Sequence, residues 1–308
     1  MNKMKAIVKK SADPGDLGFM EVPIPEVNEN ELLVHVKAIG VGIHDGYFLP
    51  EDIQYPYTIG IEAAGIIEKV GQNVTRFQEG QRVAFVSSMQ PKGGTWAEYA
   101  VVTEDSLILP IPEAMTFEQA AAIPVAGNTA LKALHDLQLK PNDTLFIAGA
   151  SGAIGTFAIQ LAVAKGWIVA GSASKSNHDY MRSLGAEKVV DYHDADWTQQ
   201  IRKWMPNGVD AVMAIQPSTG LESMDVLKEN GQIVAVSGDQ LPVRPNIVIR
   251  TIAYHVDVTD ELSAVMNRIA NKDFTLTIEN IYPFSEGLSA LEKTTTRHAR
   301  GKLVITGP

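Results

Sequence analysis

Between Ala148 and Gly155 the chain reads Ala-Gly-Ala-Ser-Gly-Ala-Ile-Gly. It follows the apolar stretch Thr144-Leu145-Phe146-Ile147 and precedes an apolar run of helical character. In a strand–turn–helix setting, small residues allow backbone to approach a pyrophosphate closely. Gly149, Ala150, Ser151 and Gly152 would form the turn, and Ala153 and Ile154 would open the helix. Gly155 would let that helix lie close against the strand, while unpaired N–H groups at the helix start face the phosphates. The strict G-x-G-x-x-G spacing is not met, because Ala150 stands where the first glycine would be.

The next strand expected is Trp167-Ile168-Val169-Ala170, running into Gly171-Ser172-Ala173-Ser174-Lys175-Ser176-Asn177. An acid some ~20 residues past such a turn holds the ribose 2′-hydroxyl of NAD. No carboxylate ends this strand. Ser172, Ser174 and Lys175 stand there instead, a set that accepts a 2′-phosphate where an acid would repel it. The expected cofactor is therefore NADP(H). The same Ser-Lys-Ser-Asn run also suits a helix N-cap, with Lys175 a solvated surface lysine, and the two roles are compatible.

These residues need a scaffold, and 308 residues suffice for one large or two ordinary domains. Hydrophobic residues make up 45% and charged residues 20%, an ordinary globular balance. The net charge of −10, with no basic cluster, argues against nucleic-acid binding. Without cysteine, disulfides, zinc–thiolate sites, cysteine-ligated iron–sulfur clusters and cysteine nucleophiles are excluded. Met1 to Lys5 leads into a strand and does not read as a signal peptide. The longest apolar region, 154–170, is broken by Gln160, Lys165 and Gly166 and is too short to span a bilayer. A cytoplasmic protein without membrane association is the expectation.

The first third reads as β-rich, with strands at 4–8, 31–38 and 63–70 punctuated by Gly and Pro, which suggests a compact, partly open barrel. Helical patterns follow at 116–123 and 128–136. From there strands at 144–148, 167–171, 188–191, 209–215 and 232–237 alternate with helices near 153–165, 176–184, 195–205 and 219–229. That alternation predicts an α/β fold with a doubly wound parallel sheet. A helix at 260–271, an extended stretch at 275–282, a helix at 285–295 and a strand at 303–306 complete the pattern.

The elements in this order resemble the medium-chain dehydrogenase/reductase superfamily, in its zinc-independent, quinone-oxidoreductase-like (zeta-crystallin-like) group. The resemblance spans essentially the whole chain. It rests on Val36 to Val41 with Asp45, Gly60-Ile61-Glu62-Ala63-Ala64-Gly65 through Gly71, Gly80-Gln81-Arg82-Val83, and Gly93 to Tyr99. The 148–155 turn, Leu184-Gly185-Ala186 and His298 to Val304 complete it. It implies a GroES-like β-rich barrel domain, residues 1–120 completed by 265–308, and a Rossmann domain, residues 121–264, with the substrate cleft between them. Zinc members carry a cysteine and a histidine as metal ligands where this chain has Gly42 and Ile61. Neither side chain can bind a metal, and the region around Ile123-Pro124-Val125 offers no third ligand, so no metal site is expected.

The implied chemistry is hydride transfer from NADPH to a small, already activated acceptor, a quinone or an α,β-unsaturated carbonyl. The loop Val41 to Phe48 should then lie beside the nicotinamide. His44 matches the position of a proton-relay hydroxyl in the zinc enzymes and suits protonation of an enolate. Its alternative is a histidine that merely holds the loop. Tyr47 could donate its phenol to a carbonyl or simply wall the cleft, Asp45 should orient the loop, and solvent could supply the proton. Many zinc-free relatives carry Asn where Gly42 stands here. For the cofactor the resemblance adds Thr129 near the nicotinamide, and Tyr192 beside Ser174 and Lys175 at the 2′-phosphate. Ser237 falls at the nicotinamide ribose, and Arg300 joins the set with a solvated turn as its other reading. Relatives are often dimers, and a strand near Ile247-Val248-Ile249 is a place for a homodimer to pair. Two other readings compete: a non-catalytic NADPH-binding protein of this fold, and a SAM-dependent methyltransferase, which the β-rich first third argues against.

Overall fold

A computed structural model describes residues 2–308. It divides into two compact units, one built from residues up to Val125 together with Leu262–Pro308, the other from Ala126–Glu261. The first begins with β1 (Lys3–Lys9), β2 (Leu17–Pro23), β3 (Glu31–Val41) and β4 (Tyr57–Thr58). It continues through β5 (Glu62–Val70), β6 (Arg82–Val86), β7 (Tyr99–Thr103) and β8 (Ile108–Pro110) to the short helix α1 (Phe117–Ala121). Then come α2 (Pro124–His135), β9 (Thr144–Ala148), α3 (Ala153–Ala164), β10 (Ile168–Ser172), α4 (His178–Ser183) and β11 (Lys188–Val190). The second unit continues with α5 (Trp197–Trp204), β12 (Val209–Ala214), α6 (Gly220–Ser223), β13 (Leu227–Ala235) and β14 (Ile247–Arg250). The chain ends with α7 (Thr259–Ala270), β15 (Ile278–Tyr282), α8 (Gly287–Thr295) and β16 (Lys302–Thr306).

In the first unit, β2-β1-β4 form a small antiparallel sheet, and β15-β16-β3-β5-β6-β8 form a larger one in which β7 also pairs with β3. The long strand β3 is the hub: it takes β5 as an antiparallel partner from Leu32 to Gly40, β7 from Glu31 to His35 and β16 from Ala38 to Val41. Its apolar residues, Ile39 among them, join Ile7, Ile67, Phe85 and Trp96 in one buried cluster. Burial of such side chains contributes ~1.5–3 kcal/mol each before conformational entropy is charged against it.

The second unit carries a parallel sheet in the order β11-β10-β9-β12-β13-β14, in which the order of connection switches sides at the β9/β12 junction. Every residue of β9 is buried, as a central strand covered on both faces should be. Phe146 stacks on Trp197 of α5 with centroids 5.2 Å apart. Among the described residues no helix is long and apolar enough to cross a membrane.

Several element boundaries differ from the sequence reading. The helix expected over 219–229 stops at Ser223, and β13 starts at Leu227 rather than 232. Leu227 pairs with Val209, and Asn230 takes a positive φ of 59° where the register shifts, so pairing with β12 overrides the helical propensity of the segment. The strand also ends at Ala235, short of 237. The helix expected from Asn128 begins at Pro124, a residue suited to a first turn, where the Glu62 carboxylate accepts the Val125 N–H at 2.7 Å.

Candidate active site

The glycine-rich turn lies between β9 and α3, at the carboxyl edge of the parallel sheet beside the β9/β12 switch, the place where open α/β sheets bind ligands. Gly149 has φ +82°, a conformation that suits glycine. Ala150 turns back, its N–H donating to the Ser172 carbonyl at 3.0 Å, and is buried. A Cβ on Gly155 would sit 2.3 Å from the Ala150 carbonyl oxygen, so the helix approaches the turn as closely as backbone permits. A Cβ on Gly152 would meet nothing nearer than 4.0 Å. Gly152 is the N-cap of α3 and has no side chain to satisfy the first-turn N–H groups. The turn with Ser151, Ala153 and Ile154 thus leaves an open cradle of amide donors at a positive helix end, which fits a pyrophosphate.

Beside it, β10 delivers Ser172, Ser174 and Lys175. Ser172 is buried, Ser174 half-buried, and Lys175 exposed at the start of a single helical turn. The Ser174 hydroxyl accepts from the Asn177 amide at 3.1 Å; Ser174 and Asn177 take the N-cap positions of that turn and of α4, but neither makes a side-chain capping bond. Sequence reasoning missed Asp191, past the end of β11. Its carboxylate accepts the Lys175 backbone N–H at 3.1 Å and both the backbone N–H and ring Nδ1 of His193 at 3.0 and 2.7 Å. The His193 backbone N–H, foremost among these donors, holds the Asp191 carboxyl below its ordinary range. Tyr192 is exposed and packs against the His193 ring, centroids 4.1 Å apart. Ser237, past the end of β13, lies on the same sheet edge, its hydroxyl 3.4 Å from the Gln216 carbonyl. Thr129 sits half-buried on α2. Arg300 belongs to the other unit, on the turn before β16, where its backbone N–H donates to Glu279 at 2.5 Å.

The second set of residues lies in the first unit, on the loop after β3. Asp45 is 1% exposed. Its Oδ2 accepts the Gly42 N–H at 2.8 Å and the Trp96 Nε1–H at 3.2 Å, and its carbonyl accepts the Gly60 N–H. Burial pushes the Asp45 carboxyl up to about 7, against the opposing pull of the Gly42 N–H and of Lys302. Asp45 therefore staples the loop and is sealed from any acceptor. The His44 carbonyl takes the Tyr47 and Phe48 N–H groups, closing a tight turn that keeps the His44, Tyr47 and Phe48 side chains on the outside. The His44 and Tyr47 rings are 5.4 Å apart. Partial burial, then the positive charges of Arg297 and Lys302, lower the His44 pKa, so its imidazole is largely neutral at neutral pH.

Beneath the loop lies a buried ion pair that sequence reading did not find. Lys302 of β16 pairs with Glu62 of β5, at 6% and 1% exposure, while the other Glu62 oxygen holds the Val125 N–H. A Cβ on Gly40 would strike both the Ala121 carbonyl and Glu62, which explains the glycine opposite Glu62 in the β3–β5 register. Both partners lie in stretches that the resemblance quotes, but their 240-residue separation hides the pairing.

Two family models match this chain: the alcohol dehydrogenase GroES-like domain over residues 28–113 and the zinc-binding dehydrogenase over residues 184–305. The quinone oxidoreductase of Sus scrofa is 32% identical over 234 residues, 73% of this chain and 70% of the relative. The chloroplastic NADPH-dependent alkenal/one oxidoreductase of Arabidopsis thaliana is 30% identical over 319 residues, 98% of this chain and 79% of the relative. The solved structure of the quinone oxidoreductase from Coxiella burnetii superposes with a TM-score of 0.87 at 28% identity over the whole of both chains. The chain belongs to the medium-chain dehydrogenase/reductase superfamily, in its quinone-oxidoreductase-like group. Its GroES-like and Rossmann architecture is that of the superfamily. The residues present do not fit the zinc ion that the second family description names. Gly42 and Ile61 offer no donor atom, and no group of three His, Cys, Asp or Glu among the described residues is placed to hold a metal.

Proposed function

We propose that this protein is a zinc-independent, NADPH-dependent reductase of quinones or α,β-unsaturated carbonyls. The observation that carries the reading is the amide cradle between Gly149 and Gly155, flanked by Ser174 and Lys175 with no acid ending β10. The Arabidopsis relative, NADPH-dependent by name, supports the cofactor choice. When bound, NADPH supplies the hydride. The turn would hold the pyrophosphate, Lys175 and Ser174 the 2′-phosphate with Tyr192 beside them, and Thr129, Ser237 and Arg300 the remaining contacts. Asp191 already occupies the Lys175 amide, so recognition of the 2′-phosphate falls to side chains.

On the acceptor side, Tyr47 and His44 would donate to the carbonyl oxygen that gains charge, and His44 would deliver the proton. Asp45 would act through the loop. With no metal to polarise the acceptor, its own conjugation must carry that burden, which favours quinones and enones over simple ketones. The exposed edge strand β14, with Val248 and Ile249 each 39% exposed, is where we place self-association.

The test is oxidation of NADPH and of NADH, with EDTA present, against a panel of quinones and enones. Turnover that prefers NADPH and survives EDTA is expected. In that assay His44→Gln lowers kcat at least tenfold with NADPH binding unchanged, and it removes a rate decline as pH rises through the lowered histidine pKa. Tight NADPH binding without turnover on any acceptor would favour the non-catalytic reading, and SAM binding in place of NADPH would overturn both.

A further inference from the structure

Strand β1 alternates. Met4, Ala6 and Val8 join a small cluster with Val22 and Ala97, whereas Ile7 faces the main core of the first unit. The two-residue period puts Lys9 on the Ile7 side, where the next apolar residue would be expected, and it is only 9% exposed. Lysine is seldom buried this far without a carboxylate partner. Lys9 takes part in none of the ion pairs among the described residues. Its Nζ donates to the Asp13 carbonyl at 2.9 Å, which uses one of three donors.

Beside Lys9 opens a cavity of about 540 Å³ walled by Leu17, Ile43, Tyr47, Ile53 and Leu291, in the size range of small-molecule sites. Its lining is apolar apart from Lys9, a few hydroxyls and backbone groups, and Glu51, which is exposed. A buried ammonium with spare donors in an apolar hollow is complementary to an apolar molecule that ends in an anion. One lysine, with Glu51 also on the wall, suits a monoanion better than a phosphate dianion. Tyr47 forms part of the wall, so the cavity adjoins the face of the loop offered above to the acceptor.

We propose that this cavity is the subsite for the acceptor's tail, and that it selects an apolar chain ending in a carboxylate, bound by Lys9. The proposal rests on the reductase reading for what lies at the Tyr47 end. A substrate spanning the cavity would present its enone there and its carboxylate to the Lys9 ammonium.

Two compounds test this: a straight-chain enone with a terminal carboxylate, and its methyl ester. Calorimetric titration of the wild-type protein should give at least tenfold tighter binding of the acid. Lys9→Met should bring the acid down to the ester's affinity while leaving the ester within twofold, and Lys9→Arg should restore the preference. Equal binding of acid and ester by the wild type overturns the proposal, and so does a preference that survives Lys9→Met. NADPH consumption with the same pair is read separately. A binding preference without turnover of this pair or of any quinone or enone in the panel leaves the subsite standing and refutes the reductase reading. Turnover of both compounds with equal kcat/KM and equal affinity overturns the subsite and leaves that reading intact.

Discussion

Replacing Asp45 by Asn probes the loop that carries His44 and Tyr47. Both donors to Asp45 converge on a single oxygen, Oδ2, so an asparagine carbonyl can take that place and keep both hydrogen bonds while the ionisable group is lost. Asp45 holds its proton up to about 7 in the folded protein, against 3.8 ordinarily. Between those values the native state binds more protons than the unfolded chain, so this residue's contribution to stability is full below about pH 4 and lost as pH rises through about 7. The loss amounts to roughly 2–3 kcal/mol between about pH 5 and about pH 7.5, and Asp45→Asn removes it. Urea unfolding followed by fluorescence, on wild type and variant across that range, reads the difference. Trp96 is the only tryptophan before residue 167, and its indole N–H touches the titrating carboxyl. Its NMR signal should therefore shift with a midpoint near 7 in the wild type and stay flat in the variant. Parallel stability curves for the two proteins, or an indole signal that does not move between about pH 5.5 and 8.5, would refute the assignment of a protonated, buried Asp45.

The cofactor turn separates room from contact: Gly155→Ala, with its Cβ 2.3 Å from the Ala150 carbonyl, should lower the melting temperature by several degrees. Gly152→Ala should leave melting unchanged and weaken NADPH binding several-fold, as titration of cofactor fluorescence would show. Lys175→Ala should raise the KM for NADPH by ten- to a hundredfold and leave that for NADH nearly unchanged, the loss of one charge-assisted contact of ~1.5–3 kcal/mol. Lys302→Met strands the Glu62 carboxylate and should cost ~3–5 kcal/mol, whereas the double variant Lys302→Met, Glu62→Leu should recover much of it, as chemical denaturation would reveal.

Much of the fold could be read from local pattern. The alternation of apolar strands and helices between 144 and 235 is a short-range signal, and each glycine of the turn answers a local steric demand. The boundary at Leu227 was hidden because its strand character comes from pairing with Val209, while its own neighbours favour helix. The short strands β4 and β8 are likewise defined by partners elsewhere in the chain. At the site, His44, Tyr47 and Lys175 stand out by type and place. Asp191 does not, because its role depends on the neighbouring strand bringing it to the Lys175 amide. Lys9 was invisible because a lysine at a strand end reads as a surface residue until the pleat shows which way it faces.

The return of β16 to β3 bears on how the protein is made. A ribosome releases the chain in order, so β3 and β5 emerge some 240 residues before the lysine that neutralises Glu62. Until then the first unit lacks β15 and β16, two strands of its larger sheet, and the Glu62 carboxylate lacks its partner. The second unit, Ala126–Glu261, whose strands pair only among themselves, meets no such delay. Released chains truncated just short of Lys302 should accordingly show a protease-resistant middle beside a digestible N-terminal portion, and chains that include β16 should resist digestion in both units.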